Sequence, residues 1–418
     1  MACIEDLNED CLLKITEYLN LEEQLQLWRS SEPTSRLRSV LSYTWQHQTH
    51  HIVDPETFGR IGRDVIQEFL QCIRSTVTKL TLQYLAMDLL EQWKPHTFPN
   101  VSELTYMGDE NSEMDGDSDI AILVGCFPHL EGIGLSGNAS GQHIGQWRNL
   151  RRLDLQLCWY LSTQCFEEIC QNLQLTLQTL SIQWHRAEED AYVRAICTLQ
   201  ALEELELDIV HLGTENTGRL LRLPKLKKLR LHNFEQLDDL LRDIGSQRGG
   251  DVVAAAFSDN IWMTRSEILA KFQSLRCLTL VDDEGCCAID FRTTVINCFP
   301  LLEQLHLENS RIWPNADGIW DVVLACPRLR LFSLSNQVLY DDFFAFSKST
   351  MDRALHQRME TLTMHFYRTG KEALISQHFR HPNLNICFNP TNNLYSQLSG
   401  ESMELEFLLP ESSASQSA

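Results

Sequence analysis

Three features of this sequence bring together side chains that bind metals, carry protons or act as nucleophiles. HQTHH (47–51) places His47, His50 and His51 close together, an arrangement that suggests an imidazole metal site. A zinc sphere would also need cysteine or a spaced carboxylate nearby; neither is present, so the stretch reads as a polar linker. Within the acidic stretch DENSEMDGDSD (109–119), DGDSD (115–119) looks like the start of a calcium loop, but Ile120 stands where the sharp-turn glycine belongs and Cys126 where the bidentate glutamate belongs. It reads as a solvated acidic insert. The 14 cysteines include no CxxC pair, which removes zinc-knuckle and thioredoxin-like chemistry. Several lie in apolar stretches (Cys126, Cys170, Cys197, Cys326) and read as reduced, buried thiols. Ser, His and Asp are present, but no nucleophile elbow, phosphate-cradling glycine loop or HExxH motif joins them. The expectation is no enzyme, no cofactor and no metal.

The bulk properties narrow the class further. A chain of 418 residues exceeds what one ordinary core needs, so several domains or a repeat array are expected. Asp+Glu 57 against Lys+Arg 35 gives a net charge of −22, which disfavours nucleic acid or an anionic membrane as partner. The opening MACIEDLNEDC lacks the basic and apolar regions of a signal peptide. Apolar runs such as IAILVGCF (120–127) are too short to span a bilayer, and the SQSA ending carries no prenylation cysteine. These features predict a cytoplasmic or nuclear protein, or one found in both.

The elements that organise the chain emerge from self-similarity. A pattern L-x-x-L-x-L, followed two positions later by a variable residue, recurs from Val77-Leu80-Leu82 onward. It passes through Val101-Leu104-Tyr106, Leu130-Ile133-Leu135, Leu150-Leu153-Leu155, Leu177-Leu180-Ile182, Leu202-Leu205-Leu207 and Leu226-Leu229-Leu231. It resumes at Leu275-Leu278-Leu280, Leu302-Leu305-Leu307, Leu329-Phe332-Leu334 and Met359-Leu362-Met364. First positions are 20–30 residues apart, except for one gap of 49, which predicts a degenerate unit near GDVVAAAF (250–257). A last unit falls at PNLNICF (382–388). The last two positions of each unit point inward from a short strand of period 2, and the first fills the turn entering it. Helical stretches such as 162–173, 188–199 and 316–326 lie between strands. Proline in CFPHL (126–130), CFPLL (298–302), CPRL (326–329) and FPNV (98–101) ends the preceding helix and extends the chain into the strand.

These units resemble leucine-rich repeats of the intracellular, helix-backed type. The resemblance implies an α/β solenoid (horseshoe) with parallel strands on the concave face, in which each unit is stabilised by its neighbours.

Residues 4–45 follow a helical rule instead. Leu12, Ile15 and Leu19 share a face behind an Asn8 cap; a second helix after Asn20-Leu21 carries Leu25 and Trp28, and a third spans Ser35 to Tyr43. Three short helices make a marginal core, which a partner covering residues such as Leu7 would support. Leu7, Asp10, Leu12, Leu13, Ile15, Tyr18, Leu19, Leu21, Leu25 and Leu27 resemble the F-box, the motif that attaches substrate receptors to the Skp-family adaptor of cullin-RING (SCF-type) ubiquitin ligases. The stretch departs from that motif at Asn8 in place of proline, at Thr16 in place of a large apolar residue, and at SSEPTSRL (30–37), which lacks the usual Val and Trp. The resemblance implies that Leu7, Leu12, Leu13, Ile15, Leu19, Leu25 and Leu27 bind the adaptor.

The expected domains are a helical F-box-like module at 1–45, linker helices or a cap at 46–74, about 12–13 repeats at 75–390, and a partly disordered tail at 391–418. Glu204, Glu206 and Asp208 form an acidic rung and Lys228, Arg230 and His232 the next, basic one. They read as cross-strand charge pairs or as a patch that binds a protein substrate. MELEFLL (403–409) is expected to pack on the last repeat or engage a partner. Together these features predict an adaptor that recruits a protein target for ubiquitin transfer; the alternative is a repeat scaffold without a ubiquitin role, its helices serving as a lid.

Overall fold

A computed structural model describes residues 4, 7–108, 116–184, 188–208, 212–234, 237–258, 266–281, 288–309, 316–356, 358–391, 398 and 400–409. The chain forms two compact units, Met1–Leu202 and Glu203–Ala418. Among the described residues no helix is long and apolar enough to cross a membrane.

The first unit opens with α1 (Glu9–Tyr18), α2 (Leu21–Ser30) and α3 (Arg36–His47). Each begins at a side-chain cap that satisfies an orphan backbone donor. Asn8 accepts from the Cys11 amide at 2.8 Å, and Ser35 from that of Arg38 at 3.2 Å. Asn20 and Glu23 exchange bonds in a capping box, both at 2.9 Å. Leu12 packs with Leu37, Val40 and Leu41 as a buried cluster, flanked by Leu13, Leu27 and Trp28. α3 runs past the expected end at Tyr43 and carries Trp45 into the interior. There it meets Phe69 of a further helix edge-on, with ring centroids 5.1 Å apart. That helix is α5 (Arg63–Ile73), which follows the short α4 (Pro55–Gly59). The three-helix module therefore shares its core with the elements after it.

Six parallel strands complete this unit in chain order: β1 (His50–Val53), β2 (Lys79–Gln83), β3 (Glu103–Met107), β4 (Gly132–Gly137), β5 (Arg152–Cys158) and β6 (Thr179–Gln183). The inward positions of the sequence pattern fall level with one another. Leu80 pairs with Leu104, Leu104 with Ile133, Ile133 with Leu153 and Leu153 with Leu180. Val77, Val101, Leu130, Leu150 and Leu177 are buried in the entering turns. The helix Thr163–Asn172 buries Phe166, Ile169 and Cys170, the i, i+3, i+4 stripe read from the sequence. β1 corrects the linker reading of HQTHH, because His51 and Val53 are buried and level with Leu80 and Leu82. A histidine at a leucine position concealed this strand.

The variable position two residues after the last inward residue has a conformational role in both units. Tyr84, Asn233, Asn309, Asn336 and Arg368 all occupy it in the left-handed region, with φ of 52–56°. Asparagine tolerates that region better than most L-residues. The turn points the backbone amide at the next strand: Tyr84 donates to the Met107 carbonyl at 2.7 Å and Asn309 to that of Ser335 at 2.8 Å.

The second unit holds β7 (Glu204–Asp208), β8 (Lys228–His232), β9 (Val252–Ser258), β10 (Cys277–Val281), β11 (Gln304–Glu308), β12 (Leu331–Ser335), β13 (Leu362–Tyr367), β14 (Leu384–Cys387) and β15 (Ser402–Phe407). β9 is the degenerate unit predicted inside the long gap, and β14 the final one. The order in space is β7-β8-β15-β9-β10-β11-β12-β13-β14. All neighbours are parallel except β15, which is antiparallel to both β8 and β9. MELEFLL thus does not pack on the last repeat: its alternating Met403, Leu405 and Phe407 are buried in β15, while 392–397, 399 and 410–418 of the expected tail lie outside the described residues. A second correction concerns β13. Its Met364 and Phe366 pair with Phe332 and Leu334, so the inward positions lie two residues beyond Leu362 and Met364, and Met359 is fully exposed. A slip of two keeps the same face of a strand inward, which is why the sequence pattern tolerated the wrong phase.

Candidate functional site

The first candidate is the face of α1–α3. The leucines expected to bind an adaptor divide into two groups. Leu12 and Leu25 are fully buried inside the unit and are core residues, which corrects their assignment as contacts. Leu13, Ile15, Leu19 and Leu27 are half-buried, and Leu7 is 37% exposed. Tyr18, at a further matched position, is 77% exposed. Leu13 also lines a groove of about 250 Å³ with Glu9, Asp10, Ser39, Val40 and Tyr43. Thr16 is buried where the F-box pattern has a large apolar residue. Its hydroxyl lies 2.9 Å from the Thr44 hydroxyl and donates to the Leu13 carbonyl at 2.9 Å. Polar pairing replaces apolar packing there, so the departure is accommodated within the module.

The second candidate is the pair of charged rungs. Glu206 takes His232 Nε2 at 2.8 Å and Arg230 Nη1 at 3.5 Å, and Asp208 accepts from the Asn233 amide group at 2.6 Å. Glu204 is exposed at the start of β7. The cross-strand pairing expected between the rungs is therefore present, but the basic rung has a second partner. Glu404 of β15, with a side chain only 1% exposed, lies 2.5 Å from Lys228 Nζ through Oε1. Its Oε2 accepts from Arg230 Nε at 2.6 Å and also contacts Nη2. Burial alone would lower the pKa of the Arg230 guanidinium; Glu404, and after it Glu206, outweigh this and raise it. Sequence reasoning did not connect Glu404 to this patch. The legible signal was the period-2 alternation of MELEF, which marks a half-buried strand with its acids on one face.

The clusters with metal or redox potential resolve differently. His47, His50 and His51 bond separately to the Tyr43 carbonyl, the Thr81 hydroxyl and the Trp45 carbonyl. Among the described residues no three His, Cys, Asp or Glu side chains are grouped as metal ligands. In the acidic insert, residues 109–115 lie outside the described residues. Asp117 and Asp119 are not solvated as expected, because they sit in the first turn of the helix Gly116–Cys126. Asp117 accepts from the Ser140 hydroxyl at 2.6 Å and Asp119 from the Tyr106 hydroxyl at 2.5 Å. The eleven described cysteines are all free thiols. Burial pushes those of Cys126, Cys158 and Cys326 up to about 12, which leaves them protonated and unreactive at neutral pH.

The strands, their register and the repeating left-handed turn define a leucine-rich-repeat fold. No known family model matches the sequence, and no curated protein matches it. Solved structures with a similar fold include the leucine-rich repeat-containing protein LegL7 from Legionella pneumophila, at 13% identity over 69% of this chain and 82% of that one, with a TM-score of 0.36. The TLR13–ssRNA13 complex is similar at 12% identity over 77% of this chain and 55% of that one, with a TM-score of 0.38. The Rad7–Elc1 complex of yeast is similar at 13% identity over 92% and 93%, with a TM-score of 0.35.

Proposed function

We propose that this chain is a protein-interaction adaptor, specifically the substrate-recognition subunit of an SCF-type cullin-RING ubiquitin ligase. On this reading α1–α3 dock on a Skp-family adaptor, and the repeats hold a protein target. What supports it most is the N-terminal module: three capped helices ahead of the repeats keep Leu7 and Tyr18 exposed while Leu12 and Leu25 form the core. The mechanism is proximity. The ligase supplies activated ubiquitin, and this chain raises the effective concentration of the target's lysines. It would act in the cytoplasm, the nucleus or both.

The test is co-purification of the full chain with a Skp-type protein. Leu7→Asp combined with Tyr18→Asp changes two exposed positions, so the helices should persist in circular dichroism while adaptor recovery is lost. Unchanged recovery would overturn the assignment. Leu12 is unsuited to this experiment, because an acid there would be placed inside the core.

One observation favours the scaffold reading, with the helices as a lid. Trp28 Nε1 donates to Glu68 of α5 at 2.5 Å and Trp45 packs on Phe69, so the module closes the start of the repeats. Absence of adaptor binding, with a lower melting temperature when residues 1–45 are removed, would support it.

A further inference from the structure

We propose that the slot between β8 and β9 is a binding site for an extended peptide in which apolar residues alternate with acids, and that β15 occupies it as an intramolecular ligand. This stands independently of whether α1–α3 bind an adaptor.

Four observations converge on the slot. First, β15 is out of chain order and, among the described strands of this unit, alone in running antiparallel. Second, β8 and β9 keep the repeat phase across it: Leu229 is level with Leu405 and Ala255, and Leu231 with Met403 and Phe257. The insertion leaves the repeat phase unchanged while separating β8 from β9 by two strand spacings, about 9.5 Å. Third, the backbone is set to receive a strand. The Asn233 amide, whose counterparts reach the next repeat strand, donates to Glu401 at 2.8 Å, and the Lys227 carbonyl accepts from Phe407 at 2.7 Å. Fourth, β9 is small where other strands are large. Ala255 stands at a leucine position and lines a cavity with Leu405, and Ala254 and Ala256 on the other face receive Leu398.

The side-chain chemistry sets the ligand class. One face of the slot takes apolar residues at the positions of Met403, Leu405 and Phe407, and Arg248 lies over the Phe407 ring at 4.2 Å. The opposite face takes a carboxylate between the first two, held by Lys228 and Arg230. Backbone pairing supplies affinity without sequence preference, while the alternate pockets and the buried acid supply selectivity. The segment from β14 to β15, residues 388–401, crosses six strand spacings, roughly 29 Å. Its 14 residues reach at most about 50 Å. That reach exceeds the separation of β14 and β15, so chain length permits the strand to leave and return while tethered.

The experiment uses the full chain with a protease site inserted between β14 and β15, and a fluorescent peptide of residues 401–410. The uncut chain should exclude the peptide, since the tethered strand competes at high effective concentration. After cleavage the released segment should stay bound, and the labelled peptide should exchange with it. A peptide carrying Glu404→Lys should compete about 100-fold less well, because it loses a buried charge pair. The proposal fails if the cut chain never takes up peptide, if both peptides compete equally, or if cleavage alone unfolds the chain. The last result would make β15 a part of the fold and not a ligand of it.

Discussion

Gln24 Oε1 accepts a hydrogen bond from Trp45 Nε1 at 2.7 Å, between two side chains that are both buried. The same amide donates through Nε2 to the Thr16 and Leu19 carbonyls, each at 2.9 Å, and so fastens the end of α1 to α2 and α3. Gln24→Met leaves an indole donor without a partner and two carbonyls short of one bond each. A buried donor or acceptor stripped of its partner costs about 1–3 kcal/mol. The substitution should therefore destabilise the module by at least about 2 kcal/mol. Trp45→Phe in the Gln24→Met background should cost less than in wild type, since the orphaned donor is removed with the indole. A urea-denaturation double-mutant cycle measures this coupling; strict additivity would mean that the bond contributes nothing.

His51 gives the first unit a defined acid sensitivity. Burial, with a smaller contribution from His50, lowers its pKa from 6.5 to about 4, partly opposed by the bond to the Trp45 carbonyl. The unfolded chain then binds a proton below about pH 6.5 that the folded chain refuses. Stability is complete above that pH and declines as pH falls toward 4, by on the order of 2 kcal/mol at pH 5. His306 of β11, lowered to about 4 by burial and then by His365, does the same in the second unit. His51→Gln should flatten the difference between denaturation midpoints at pH 7.5 and pH 5 in the first unit. An unchanged difference would show that His51 is already charged in the folded state.

What the sequence disclosed follows from how strongly each position is constrained. Inward leucines at one phase specify both strand and face, so β2 to β8 were legible from side chains alone. β1 was not, because His51 fills an apolar position while satisfying its ring through a carbonyl that no pattern can anticipate. β15 failed for another reason. Its alternation was visible, but a strand's neighbours are set by where the chain can return, and period 2 is silent on that. The N-terminal leucines illustrate a third limit: helical spacing separates one face from another but does not reveal which face a later element such as α3 or α5 will cover.

Tyr84 sits at the left-handed turn with φ 52°, where three other repeats place asparagine. A bulky L-residue in that region costs about 1–2 kcal/mol, and its ring is half exposed, so little packing is lost on replacement. Tyr84→Asn should stabilise the first unit by about 1 kcal/mol and raise its melting temperature by roughly 2–4 °C. Scanning calorimetry decides it. A fall in melting temperature would mean that the tyrosine ring contributes more through packing than its backbone loses.

Arg358 tests how neighbouring repeats are locked together. Its guanidinium is buried and donates through Nη1 to the Val323 and Cys326 carbonyls, both at 3.3 Å, and through Nη2 to Leu329. Those carbonyls lie at the end of the helix Asp317–Ala325 and in the proline turn after it, where backbone acceptors have no helical partner. Burial lowers the pKa of this guanidinium, opposed by Cys326 and Glu360. Arginine nevertheless stays charged because its ordinary value is so high. Lysine starts near 10.4 and gathers its three donors on one compact nitrogen in place of a planar fork. Arg358→Lys should therefore fail as a conservative change and cost about 2 kcal/mol or more, close to the loss from Arg358→Met. Urea denaturation of the two variants side by side checks this. If lysine retained wild-type stability, positive charge alone would hold the turn, and the forked geometry would be incidental.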